Sequence, residues 1–175
     1  MNRHVPPAEA YAFCGGMFMK KRLKTYLFWI LLSEAVGILA VIQTQEGMMR
    51  FRETAVQPPF SPSPILFTVV WPLLYALMGF GAARVWLAAP RCERQTGINL
   101  FFAQLIFQFF WSLLFFNAGA YGLSFYWLAV LWVLILLMIL TFGRVDRAAA
   151  MLQIPYLLWV TFAGILNFAV WRLNR

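Results

Sequence analysis

Five apolar runs follow one another along the chain, each close to the about 20 residues that a helix needs to cross a hydrocarbon layer. They cover about Thr25–Gln43, Ile65–Ala88, Ile98–Asn117, Leu123–Phe142 and Ala148–Leu173. Polar and charged residues gather between the runs and rarely inside them. The pattern predicts an all-α membrane protein, a bundle of five transmembrane helices, with its domain over 25–175. Only the 44–64 connection is long, and it is rich in Pro and charge. Such loops often act as lids or binding loops.

Inside the runs, polar and aromatic residues recur at helical spacing. The second span carries Thr68, Trp71 and Tyr75 on one face. Pro72 removes a backbone donor and frees the carbonyl of Thr68, which must then find another partner or line a cavity. The fifth span repeats the device with Pro155, followed by Trp159, Ala163 and Leu166–Asn167. The third span offers Gln104, Gln108, Trp111 and Phe115. Two amides in hydrocarbon are costly unless they face the bundle interior. Three stripes that converge would form an indole-walled pocket for a flat, largely apolar ligand. Plain helix packing is the competing explanation. Trp29, Trp86, Trp127 and Trp171 lie toward span ends and read as interfacial belt residues.

Glu34 stands in the middle of the first span. An intramembrane acid is a functional candidate, and a protonated Glu bonded to a neighbouring helix is the structural alternative.

Composition sharpens the class. The chain is 63% hydrophobic and 11% charged, whereas a soluble domain is about 25% charged, so it cannot cover a water-facing surface. The net charge of +8 does not point to nucleic acid, because the basic residues flank the spans. Lys20, Lys21, Arg22, Lys24, Arg91, Arg94, Arg144 and Arg147 fall at one end of the bundle, with Arg50, Arg52, Arg172 and Arg175 at the other. The positive-inside rule then places the N-terminus in the cytoplasm. Residues 1–24 read as a tail, either disordered or the product of an early start site, since Met17 and Met19 precede the basic run. No cleavage site for a signal peptide follows the first apolar run. Cys14 and Cys92 form no paired motif, and His4 is the only histidine, so a zinc site or disulfide framework is not expected. No catalytic triad, phosphate loop or paired carboxylates appear.

Longer motifs carry a resemblance. The stretches "PPFSPSPILFTVVWPLLYALMGFGAARVW", "QLIFQFFWSLLFF" and "DRAAAMLQIPYLLWVTFAGILNFAVWRLN" resemble, in order and spacing, the second, third and fifth helices of the TspO/MBR family, the tryptophan-rich sensory proteins related to the mitochondrial translocator protein. The likeness covers residues from about 50 to 174. It implies a five-helix membrane protein, often a homodimer, that binds porphyrins and in some members sterols or benzodiazepine-type drugs. Trp71 and Trp159 match pocket tryptophans that the family ties to porphyrin binding, and in some members to light-dependent breakdown of protoporphyrin. Gln108 stands where the family usually has Asn, Phe60 where it has Trp, and Phe51–Arg52 where it often has Trp–Tyr. Phe168 replaces the Tyr of a sterol-recognition pattern, which weakens the sterol expectation.

The resulting expectation is a tetrapyrrole-binding sensor or carrier in a bacterial cell membrane, with protoporphyrin IX or a related haem-type molecule as ligand and no obligatory cofactor. A proton-coupled transporter or channel using Glu34, and a light-dependent porphyrin-degrading protein, are the alternatives. The 44–64 loop is expected to close the pocket, with Phe60 reaching down and Arg50 and Arg52 meeting ligand propionates.

Overall fold

A computed structural model describes residues 8–88 and 91–175, with side chains from Lys20 onward, Arg91 excepted. Helix α1 runs from Ala8 to Thr54, α2 from Pro64 to Ala88, α3 from Arg91 to Ser112 and α4 from Tyr121 to Val145. A short α5, Arg147–Met151, leads into α6, Ile154–Leu173. Among the described residues, five segments are long and apolar enough to span a membrane: Lys20–Thr54, Pro64–Ala88, Cys92–Asn117, Tyr121–Val145 and Arg147–Leu173. The chain is therefore an all-α, multi-pass membrane protein of five spans, as the hydrophobic pattern predicts.

Three boundaries differ from the sequence reading. The first helix does not stop at Gln43. It continues to Thr54, so half of the expected 44–64 loop is helical and the connector shrinks to 55–63. At the other end, the expected tail is helical from Ala8, and residues 1–7 lie outside the described residues. The fifth span is broken rather than kinked. Leu152 and Gln153 turn between α5 and α6, and Pro155 falls in the first turn of α6, where its missing N–H costs no helical bond.

Small residues let the helices approach. On α1, the buried positions Trp29, Ser33, Gly37, Ala40, Thr44 and Gly47 follow one another at steps of three or four. Ser33 and Thr44 donate to the carbonyls one turn back, Trp29 at 2.9 Å and Ala40 at 2.7 Å, so the stripe buries no unpaired hydroxyl. Gly79 of α2 crosses this face so closely that a Cβ there would lie 2.5 Å from the Trp29 carbonyl oxygen. That is the small-residue contact expected between helices in lipid. Trp29, read as a belt residue, is instead 4% exposed and sits among Trp86, Phe101 and Phe102. Trp127 is also tied inward, stacked on Phe107 and donating its N–H to the Phe107 carbonyl at 2.8 Å. Trp86 and Trp171 each lie beneath an arginine, Arg94 and Arg175.

The two ends of the bundle are fixed by polar contacts. At one, Asp146 caps α5 by accepting from the backbone N–H of Ala148 and Ala149, and its other oxygen pairs with Arg84 of α2 at 2.8 Å. At the other, Asn174 pairs with Val56 of the connector in both directions, each bond 2.9 Å. The C-terminus and the α1–α2 connector therefore share one end.

Candidate functional site

Between α1, α2, α3 and α6 lies a cavity of about 550 Å³, mainly apolar in lining. From α1 it takes a broad face that includes Glu34, Gly37, Val41, Thr44, Met48 and Phe51, at steps of three and four, together with Arg52. The helical overrun past Gln43 thus matters directly, because the residues beyond it form the outer wall. The connector adds Gln57, Ser61 and Pro62. From α2 come Phe67, Thr68, Trp71, Pro72 and Tyr75. The α6 contribution is Ala163, Leu166 and Asn167.

The α3 contribution depends on a local defect. After Ser112 the helix widens into one π turn over Leu113–Asn117, with Ala118 N–H bonding to the Leu113 carbonyl at 3.0 Å. The extra residue turns consecutive side chains toward one side. Trp111, Ser112, Phe115 and Phe116 all reach the cavity. Such turns are frequent at functional sites because they re-aim side chains without ending a helix. Gly119, at φ +59°, then ends the segment in the left-handed region where glycine is favoured.

Polar bonds hold the wall in place. Asn167 accepts from the Trp111 indole N–H at 3.1 Å and the Ser124 hydroxyl at 3.0 Å, and donates to the Tyr121 carbonyl at 2.8 Å. Three helices are joined through one amide. The Trp111 ring also stacks on Phe115. Tyr156 donates its hydroxyl hydrogen to Gln104 at 2.9 Å, with Gln108 at 3.5 Å. The Thr68 hydroxyl donates to the Pro64 carbonyl at 3.1 Å.

Of the residues singled out from sequence, the wall brings together Glu34, Arg52, Thr68, Trp71, Tyr75, Gln108, Trp111, Ala163 and Asn167. Four fall elsewhere. Gln104 is fully buried behind the wall, engaged by Tyr156. Trp159 stands behind Trp71, ring centroids 6.4 Å apart and perpendicular, with Phe67 on it as well. Phe60 is half exposed on the connector, outside the lining. Arg50 is exposed on α1 and also outside it. The sequence reading missed Gly37, Phe51 and Phe116. It also missed Gln153, fully buried and donating to the Leu77 carbonyl at 3.3 Å. Phe51 could have been found by extending the three-and-four stripe past Gln43, and Gly37 by starting that stripe at Glu34.

A second depression, between α4 and α6 around Trp132, Thr161 and Gly164, is more open and almost wholly apolar. It lacks the convergent polar groups that orient a ligand. Among the described residues no cluster of three His, Cys, Asp or Glu side chains could hold a metal.

Comparison with known proteins adds an independent line. The sequence profile of the TspO/MBR family matches residues 29–172. "Tryptophan-rich protein TspO" of Chlorobaculum tepidum is 34% identical over 160 residues, which span 89% of this chain and 99% of that protein. "Protein CrtK" of Rhodobacter capsulatus is 35% identical over 119 residues, 67% of this chain and 74% of its own. "Translocator protein" of Bos taurus is 29% identical over 147 residues, covering 83% and 87%.

Proposed function

The chain belongs to the TspO/MBR family, and from that premise we propose that it is a membrane sensor or carrier that takes a porphyrin-type tetrapyrrole into the cavity between α1, α2, α3 and α6. The observation that carries the reading is the wall itself. Trp71, Tyr75, Phe67, Trp111, Phe115 and Phe51 surround a space of about 550 Å³, within the range of roughly 300–1,000 Å³ typical of ligand sites. Flat aromatic rings are the natural complement of such a wall, through offset and edge-to-face contact. A free-base macrocycle needs no axial metal ligand, which suits a wall without histidine.

Titration of the full chain in neutral detergent with protoporphyrin IX, read by tryptophan quenching, tests the reading. Binding should be saturable and should weaken by roughly tenfold in Trp71→Phe, which loses ring area at the wall and the indole N–H. Trp159→Phe should weaken it less, because that ring lies one layer back. Affinity unchanged in both variants would remove the cavity from the proposal.

A further inference from the structure

Glu34 is the one acidic side chain in the cavity wall, and Arg52 is the one basic side chain. Among the described residues neither forms an ion pair, the only such pair being Arg84–Asp146. Both lie on α1, eighteen positions and thus about 27 Å of helix rise apart. The cavity therefore runs lengthwise along α1, with a guanidinium at the connector end and a carboxyl deep in the span. A carboxyl in hydrocarbon is costly without a partner. Around its level, the wall holds groups with unused hydrogen-bonding capacity. The Tyr75 ring packs against Gly37, one turn from Glu34, and among the described residues the Tyr75 hydroxyl makes no hydrogen bond. The amide NH₂ of Gln108 is likewise without a partner there, since Gln108 only accepts, and at 3.5 Å. Three helices thus aim a carboxyl, a phenol and an amide into one apolar space, and the protein leaves all three available.

We propose that Glu34 is the anchor for a nitrogen of the ligand, so that the cavity selects flat apolar molecules bearing an N–H or amine group at its deep end. The inference deepens the cavity reading above and rests on it. A carboxyl pairs with an amine or N–H through a charge-assisted hydrogen bond, the strong kind. An alcohol of the same shape also donates to the carboxyl but brings no positive charge, so it forms no ion pair there. The discriminating feature of the ligand is then a donor nitrogen, separate from any acidic group it presents to Arg52.

The test uses a matched pair of flat probes, 1-pyrenebutylamine and 1-pyrenebutanol, bound to the full chain in neutral detergent. Wild type, Glu34→Gln and Glu34→Leu are compared, with Trp71→Phe reporting whether the pyrene sits at the wall. Wild type should favour the amine by roughly tenfold to a hundredfold, the worth of one charge-assisted hydrogen bond. Both Glu34 variants should lose that preference while still binding the alcohol, which also shows that they are folded. Equal affinity for the two probes, binding of neither, or a preference that survives in Glu34→Gln overturns the assignment. The outcome is separable from the porphyrin reading. Loss of saturable protoporphyrin binding with a retained amine preference sinks the tetrapyrrole and keeps the anchor. Normal protoporphyrin binding with equal pyrene affinities does the reverse.

Discussion

Arg50 and Arg52 look equivalent in sequence, two basic residues on either side of Phe51 at the end of the first apolar run. The helix separates them. Positions two apart on an α-helix point about 200° away from each other, and only Arg52 reaches the wall. Arg50 stays exposed, with its carbonyl accepting from the Thr54 hydroxyl. Charge reversal at Arg52 should weaken a porphyrin dicarboxylate by about 1.5–3 kcal/mol, the range for a hydrogen bond to a charged group. The dimethyl ester should hardly change, and Arg50→Glu should leave both nearly untouched. Calorimetry of acid and ester against the two variants decides it, and equal losses for acid and ester would exclude a propionate contact. At this scale the sequence was a good guide wherever a polar or aromatic residue interrupts an apolar run. Trp71, Trp111, Asn167 and Glu34 stand out that way and do line the cavity. It failed where a second layer matters. Spacing tells which face Trp159 and Gln104 occupy, but not that Trp71 and Tyr156 stand in front of them. Tyr156 itself was invisible, an aromatic within an apolar run whose single hydroxyl bonds the side-chain oxygen of a glutamine on another helix.

The elements were legible in number and type, because period and run length report on burial in lipid. Their ends were not. Gln43, Thr44, Gln45 and Glu46 look like the start of a loop, yet the stripe through Gly47 and Phe51 keeps packing on the π turn and Tyr121, so tertiary contact prolongs the helix. Nothing in the run that follows Ser112 marks the π turn in advance. The break before α6 is better signalled than the reading allowed, since Asp146 is an effective N-cap and Pro155 suits a first turn. That cap gives a pH prediction. Burial pushes the Asp146 carboxyl up, but the Ala149 N–H, the hydrogen bond and charge of Arg84, and the Ala148 N–H outweigh it and hold the group below its ordinary value. A carboxyl lowered in the folded state stabilises fully above its unfolded value of about 3.9 and loses that contribution as pH falls through the lower folded value. The Tm gap between wild type and Asp146→Asn should therefore stay constant from neutral pH down to about 5 and close only below about 4. A gap that closes near pH 6 would mean that another group governs this junction.

For the molecule as a whole, the short loops and the five-run pattern fix an up-and-down arrangement, and the paired positions of Asn174 and Val56 agree with it. What the pattern could not convey is that the last residues of the chain hold the connector that borders the cavity. Gln57 follows Val56 directly, Ser61 lies four residues beyond Gln57, and both belong to the wall. Asn174 thereby ties α6 to the connector beside the cavity, and on the porphyrin reading that tie would act as a latch, on rates rather than on affinity. Two exposed hydrogen bonds add on the order of 1 kcal/mol in total to the work of opening. A latch that must lift for entry must lift equally for exit. Asn174→Ala should therefore raise association and dissociation rates together, by roughly fivefold each, with Kd nearly unchanged in stopped-flow measurement. A change confined to dissociation would assign Asn174 to ligand contact instead. On the porphyrin reading, the residence time of the ligand would then be set by a side chain outside the cavity lining, acting only through the connector.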